Sequence, residues 1–191
     1  MLKFSVPFYN ALTRSRELFL LGGEYMNMFW DESENYFTNP QPVTDTMIKK
    51  TEDLLGYKLP KSYMDLIKIR NGGTPINTCF PTASPTSWAE DHIAISSING
   101  IGGEWGIDTD SGSQFMIQEW GYPDIGIVLC STPSGGHDAV MLDYSKCGNN
   151  GEPRVIHVDV EDFENPNITF LAENFDAFIS GLVNEDLFND E

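Results

Sequence analysis

Apolar positions recur with helical spacing in two early segments. In "VTDTMIKKTEDLLG", residues 43–56, Met47, Ile48, Leu54 and Leu55 follow a start at Thr44 or Asp45, and Gly56 supplies the stop. In "LPKSYMDLIKIRNGG", Leu59 leads into Pro60, which suits a first turn, and Tyr63, Leu66, Ile67 and Ile69 can share a core-facing side. Asn71, Gly72 and Gly73 then permit a left-handed termination. Both segments are predicted helices. The stretch 74–91 holds three prolines among threonines and serines and reads as an irregular loop carrying Phe80 and Trp88.

Beyond it the pattern changes to short apolar runs. "HIAISSI", "IGIVLC", "DAVMLDY" and "RVIHVDV" are rich in the β-branched and apolar residues that suit strands. Between the first two, "SGSQFMIQEWGYP" predicts a short helix stopped by Gly121 and Pro123, with Tyr122 between them. In the closing segment "TFLAENFDAFISGLV", Leu171, Phe175, Phe178 and Leu182 fall at i, i+4, i+7 and i+11, the stripe of a core-packed helix. Helices, then strands, then a helix predict a single α+β domain over 28–185, with a helical N-terminal extension over 1–27 and a solvated acidic tail over 186–191.

The most conspicuous chemistry lies in "STPSGGHDAVMLDYSKCG", residues 131–148. Gly135 and Gly136 precede a strand in which Asp138, Val140 and Leu142 point one way and Ala139, Met141 and Asp143 the other. The two aspartates therefore cannot easily ligate one ion, and hydrogen bonding to local backbone at the strand ends is their expected role. His157 and Asp159 do share a face, but two ligands fall short of a zinc or iron site. Ser134 lacks a nucleophile elbow. "NGIGGEWGID" has Trp105 where a dinucleotide fingerprint needs glycine. In "DTDSGSQFMIQE" Asp108, Asp110 and Glu119 imitate a calcium loop whose fifth and sixth positions, Gly112 and Ser113, are wrong for the ion. No catalytic residue, metal or cofactor is expected.

Charge changes the picture more than any motif. Among 191 residues, 29 acidic side chains face 11 basic ones, a formal net charge of -18. Nucleic acid and anionic membrane surfaces are thereby disfavoured, and a cationic protein partner fits better. Cys79, Cys130 and Cys147 form no C-x-x-C pair, which points to reduced cytoplasm. Arg14, Arg16 and Glu17 interrupt the apolar start before a signal peptide or membrane span can form. Three groups combine tryptophan with carboxylates: Trp88 with Glu90 and Asp91; Trp105 with Glu104, Asp108 and Asp110; Trp120 with Glu119 and Asp124. Tryptophan anchors interfaces and carboxylates steer a basic partner, so these are the candidate partner-binding residues.

The ordered set "DLLGYKLPKSYMDLIKIRNGG", "FPTASPTSWAEDHIAISSINGIGG", "QEWGYPDIGIVLCSTPSGGHDAVMLDYSKCG", "EPRVIHVDVED" and "FLAENFDAFISGL" resembles the SUKH superfamily, specifically its Smi/Knr group, over about residues 29–183. The resemblance implies a central, mainly antiparallel or mixed sheet flanked by helices, without a catalytic centre. For compact bacterial members it implies an immunity protein that binds and neutralises a toxin, such as a basic nuclease, of a contact-dependent or polymorphic toxin system. Fungal relatives imply the alternative, a scaffold or regulator of cell-wall synthesis. A metal-dependent hydrolase using His137, Asp138, Asp143, His157 or the 108–119 loop is the remaining alternative from the residues themselves.

Overall fold

Helix α1 (Asp45–Leu55) begins where Thr44 Oγ1 accepts the Met47 N–H and ends at left-handed Gly56. Helix α2 (Lys61–Ile69) follows Pro60, which sits just ahead of the helix instead of inside its first turn. The computed structural model describes residues 29–188. The expected N-terminal extension lies outside them.

The expected irregular loop 74–91 contains a strand. Strand β1 (Cys79–Pro81) pairs antiparallel with β2 (His92–Ala94) in a two-stranded sheet. "HIAISSI" is therefore two strands, because the Ile95 N–H goes to Thr78 while the next residue, Ser96, donates to Ser131. That switch of partner starts β3 (Ser97–Ile98) at the edge of a second sheet. Helix α3 (Ser113–Trp120) and strands β4 (Gly126–Ser131), β5 (Asp138–Asp143) and β6 (Arg154–Asp159) stand where the sequence puts them.

The closing segment differs from the single helix read from its stripe. Residues Asn167–Ala172 form strand β7, and helix α4 (Phe175–Gly181) starts only after Asn174, whose Oδ1 accepts the Ala177 N–H. Leu171, Phe175, Phe178 and Leu182 are nonetheless all buried in one cluster. Strand followed by helix satisfies the same four burial sites as one long helix. The second sheet is thus five-stranded and antiparallel throughout, in the order β3-β4-β5-β6-β7. The molecule is an α+β domain. At the start of the expected solvated tail, a short exposed 3-10 helix, Glu185–Leu187, is followed by Phe188, which stacks on His92 at 3.9 Å; residues 189–191 lie outside the described residues.

Alternation along the strands separates two layers. On the first face, Ile127, Leu129, Val140, Leu142 and Val155 cluster with Ile48, Tyr63, Leu66, Ile67, Phe175 and Phe178 of α1, α2 and α4. Each such fully buried apolar side chain contributes about 1.5–3 kcal/mol. On the second face, Val128, Ala139, Met141, Ile156 and Val158 cluster with Tyr122, and Met116 and Ile117 of α3 pack over them. Among the described residues, α3 is the helix that packs on this face.

Candidate functional site

The loops beside the sheet are pinned by an asparagine. Asn71 is buried; its Nδ2 donates to Gln41 O and Ile101 O, both at 2.9 Å, and its Oδ1 accepts the Ile101 N–H at 2.8 Å. Gly72 holds φ at 79°, and a Cβ there would lie 2.7 Å from Gly100 N. Glycine is required by conformation and by space. Tyr63 donates its hydroxyl to Asn99 O at 2.7 Å. These bonds tie α2 to loop 99–112, the loop that carries Glu104 and Trp105.

Arg70 secures a second loop. Its guanidinium donates to Thr38 Oγ1 at 2.9 Å, to Asp31 O at 3.0 Å and to Glu34 O, and it lies over the Trp30 ring. The loop so held brings Tyr36 and Phe37 against Trp105, with ring centroids 5.1 and 5.3 Å away. Aromatic contacts at these spacings stabilise by about 0.5–1.5 kcal/mol each beyond burial. Trp105 is consequently half-buried on a platform of two other rings.

Across from it, Trp120 ends α3 and lies on Gly136. A Cβ at that glycine would overlap the indole ring, and φ there is 105°. Tyr122 donates its hydroxyl to Gly136 O at 2.9 Å and fixes the same turn. Trp105 and Trp120 thereby become walls of one cleft of about 310 Å³, with Glu104 at its mouth and Met116, Gly135 and Asp138 among its lining. Trp120 keeps 38% of its surface exposed. Two indoles and the Glu104 carboxylate thus line one cleft, a combination suited to a cationic side chain.

Only part of the expected partner-binding set gathers here. Glu104, Trp105 and Trp120 meet at the cleft; Asp110, Glu119 and Asp124 are exposed on the loops and helix beside it. Trp88, Glu90 and Asp91 lie apart, in the loop joining β1 to β2, where Asp91 Oδ1 contacts His92 Nδ1 at 2.9 Å. Asp108 is used internally: its Oδ1 accepts the Gly102 N–H and its Oδ2 the Thr51 hydroxyl, both at 2.7 Å. It braces loop 99–112 against α1 and is not offered to a partner. Tyr36, Phe37 and Arg70 were missing from the sequence reading; the aromatic run "FWDESENYF" is a signal for the first two, and nothing in the pattern marks Arg70.

The conspicuous histidine and aspartates form a buried brace. His157 Nε2 and Asp138 Oδ2 are 2.6 Å apart, and Thr132 Oγ1 donates to Asp138 Oδ1 at 2.5 Å. Asp138 is thus held by side chains from neighbouring segments, not by local backbone as expected. Burial pushes its carboxyl up, but its bonds with His157, Ser134 and Thr132 together outweigh that and hold it below the usual range. Asp143 matches expectation: Ser145 N–H donates to it at 2.8 Å, and Arg154 adds an ion pair at 2.7 Å. Burial again opposes, and the Ser145 and Arg154 bonds again win, so this carboxyl is also lowered.

Ser134 Oγ lies 2.8 Å from Thr132 Oγ1 and accepts the Asp138 N–H at 3.1 Å. Asp138 therefore stands between serine and histidine, whereas a serine nucleophile needs the imidazole in the middle. Burial pushes the thiols of Cys79, Cys130 and Cys147 up, away from the nucleophilic thiolate. Among the described residues, no three His, Cys, Asp or Glu side chains gather as metal ligands.

Charge is unevenly distributed along the chain. Between Arg70 and Lys146 the chain has no lysine or arginine and nine acidic residues, and this interval supplies Trp105, α3, Trp120, β4 and β5. The lysines of the described residues concentrate on α1, α2 and the link between them, where Lys49, Lys58, Lys61 and Lys68 are paired with Asp53, Glu52, Asp65 and Asp45. No helix among the described residues is long and apolar enough to cross a membrane.

No curated protein matches the chain significantly. A family model does, over residues 42–181, an interval running from the approach to α1 through α4 and including Trp105, Trp120 and the Asp138–His157 brace. With most of its length matched in this way, the chain belongs to the SMI1 / KNR4 family (SUKH-1).

Proposed function

We propose that this chain is a non-catalytic, cytoplasmic protein-binding module of the immunity type, which neutralises a toxin bearing a basic surface. Family membership supports a protein-binding role. The observation that carries the finer reading is the Trp105–Trp120 cleft with Glu104, set in an interval without lysine or arginine. A lysine or arginine of the partner enters between the indoles, and the surrounding carboxylates orient its approach. If that basic surface is a nuclease's nucleic-acid site, covering it blocks the enzyme without any chemistry by the inhibitor.

Expression of a toxin encoded beside this chain, with and without the chain, tests the reading. Growth is restored by the wild type. The Trp105→Ala and Trp120→Ala variants each lose about 2 kcal/mol of affinity, roughly thirtyfold, as anchor residues do. Full protection by both variants, at unchanged expression and thermal stability, contradicts the reading. A partner set of several envelope-synthesis proteins and no toxin would favour the scaffold role instead.

A further inference from the structure

The edge opposite β3 has properties that the cleft does not use. Strand β7 is hydrogen-bonded only to β6, and residues 167–172 make no other backbone hydrogen bond among the described residues. Its outer flank therefore presents a row of peptide groups over six residues, the template on which another extended chain can pair. Natural edges are blunted by lysine, proline or a bulge pointing outward. Here the strand reads Asn-Ile-Thr-Phe-Leu-Ala, and its one register irregularity lies at its C-terminal end, opposite Val155 and Ile156.

Two apolar side chains stand out on the second face of this edge: Ile168, 45% exposed, and Phe170, 49% exposed, opposite Val158 and Ile156 of β6. Phe163, 69% exposed, leans over Gly121 at the end of α3 and closes the same face. Acidic groups bracket the patch. Glu161, Asp162 and Glu164 precede β7 and Glu173 follows it, while no lysine or arginine occurs after Arg154. Arg154 itself is spent on Asp143. Phe170 and Glu173 also line a cleft of about 340 Å³ with Glu152 and Lys146, directly at the strand's end.

We infer that β7 is a second docking edge, which takes up an extended segment of a partner protein in which apolar residues alternate with lysine or arginine. Backbone pairing supplies the hold, alternate apolar side chains cover Ile168 and Phe170, and the cationic ones reach the flanking carboxylates. A second copy of this chain fits poorly, because two such edges would bring like-charged acidic loops together. The inference rests on the reading of this chain as a protein-binding module, though not on the Trp105–Trp120 cleft.

The probe is a synthetic ten-residue peptide of alternating valine and lysine, read by amide hydrogen exchange of the full chain and by anisotropy of the labelled peptide. Exchange at residues 167–172 slows, and binding weakens about tenfold or more when alternate peptide nitrogens are methylated or glutamate replaces lysine. The exposed substitutions Ile168→Glu and Phe170→Glu together abolish binding with the melting temperature retained, whereas Trp105→Ala leaves it intact. Unslowed exchange at β7, equal binding of the methylated peptide, or a dimer of the chain alone that Phe170→Glu dissociates would each overturn the inference. Because the peptide arm uses neither tryptophan of the cleft, a failed toxin test and a failed edge test give different results.

Discussion

At the scale of single residues, most of the polar groups that draw attention in the sequence turn out to hold loops in place. Asn71 satisfies three backbone groups of two loops at once. Removing a partner of buried groups leaves them without hydrogen bonds, at about 1–3 kcal/mol. Asn71→Ala is therefore expected to lower unfolding free energy by about 2–3 kcal/mol and to loosen Glu104 and Trp105; chemical denaturation measures the first. Gly136→Ala pushes the Trp120 ring out of its seat, so partner affinity falls while the far side of the domain keeps its hydrogen-exchange protection.

Asp138 and Asp143 give a pH dependence of determinate sign. Both carboxyls titrate lower in the folded chain than in the unfolded one. Their stabilisation is complete above the unfolded value, about 4, and is lost as pH falls through the folded values. Unfolding free energy should thus drop steeply on acidification below about pH 4, and Asp138→Asn should flatten that slope while lowering stability at neutral pH. A slope below pH 4 equal to that of the wild type would show that this carboxyl is not tied as described.

At the scale of elements, periodicity was sufficient wherever one residue set served one structure. Helices α1, α2 and α3 and strands β4, β5 and β6 were legible because their apolar spacing agreed with their caps and stops. The misreadings have a common cause. Leu171 and Phe175 fit a helical stripe, yet they belong to a strand and the following helix, and Asn174 between them is the cap that divides the two. "HIAISSI" looked continuous because side-chain pattern carries no record of which strand each N–H reaches. Asn174→Ala and Thr44→Ala should each cost about 1 kcal/mol, the usual loss of a capping oxygen, measurable as a shift in denaturation midpoint.

The site was legible only in part for the same reason. Trp105 and Glu104 are sequence neighbours and line the same cleft, whereas Glu119, grouped with Trp120 in the sequence, is exposed outside its lining. What brings the two tryptophans together is the Gly135–Gly136 turn and the loop pinned by Arg70, contacts between segments far apart in the chain. Asp108 shows the converse. Its place beside an exposed loop suggested a surface charge, and its carboxylate is consumed by Thr51 and Gly102.

At the scale of the molecule, a net charge of -18 matters less than its distribution. Lysines concentrate around α1 and α2 and are largely paired there, while the interval between Arg70 and Lys146, which supplies Trp105, α3 and Trp120, carries carboxylates and no lysine or arginine. On the proposed function, those exposed carboxylates steer a basic partner and orient its approach. Association with a basic toxin should therefore slow as salt is raised across the 0.05–0.5 M range, with on-rates falling by about tenfold or more, while Glu104→Lys gives a comparable loss at low salt. Stopped-flow kinetics reads both.

The most direct test is a hydrogen-exchange footprint of this chain bound to its partner. Protection is expected at residues 104–106, across α3 and at 135–138, with α1 and α2 unchanged. Protection confined to the α1–α2 layer, with the Trp105–Trp120 cleft exchanging as in the free chain, would contradict the account.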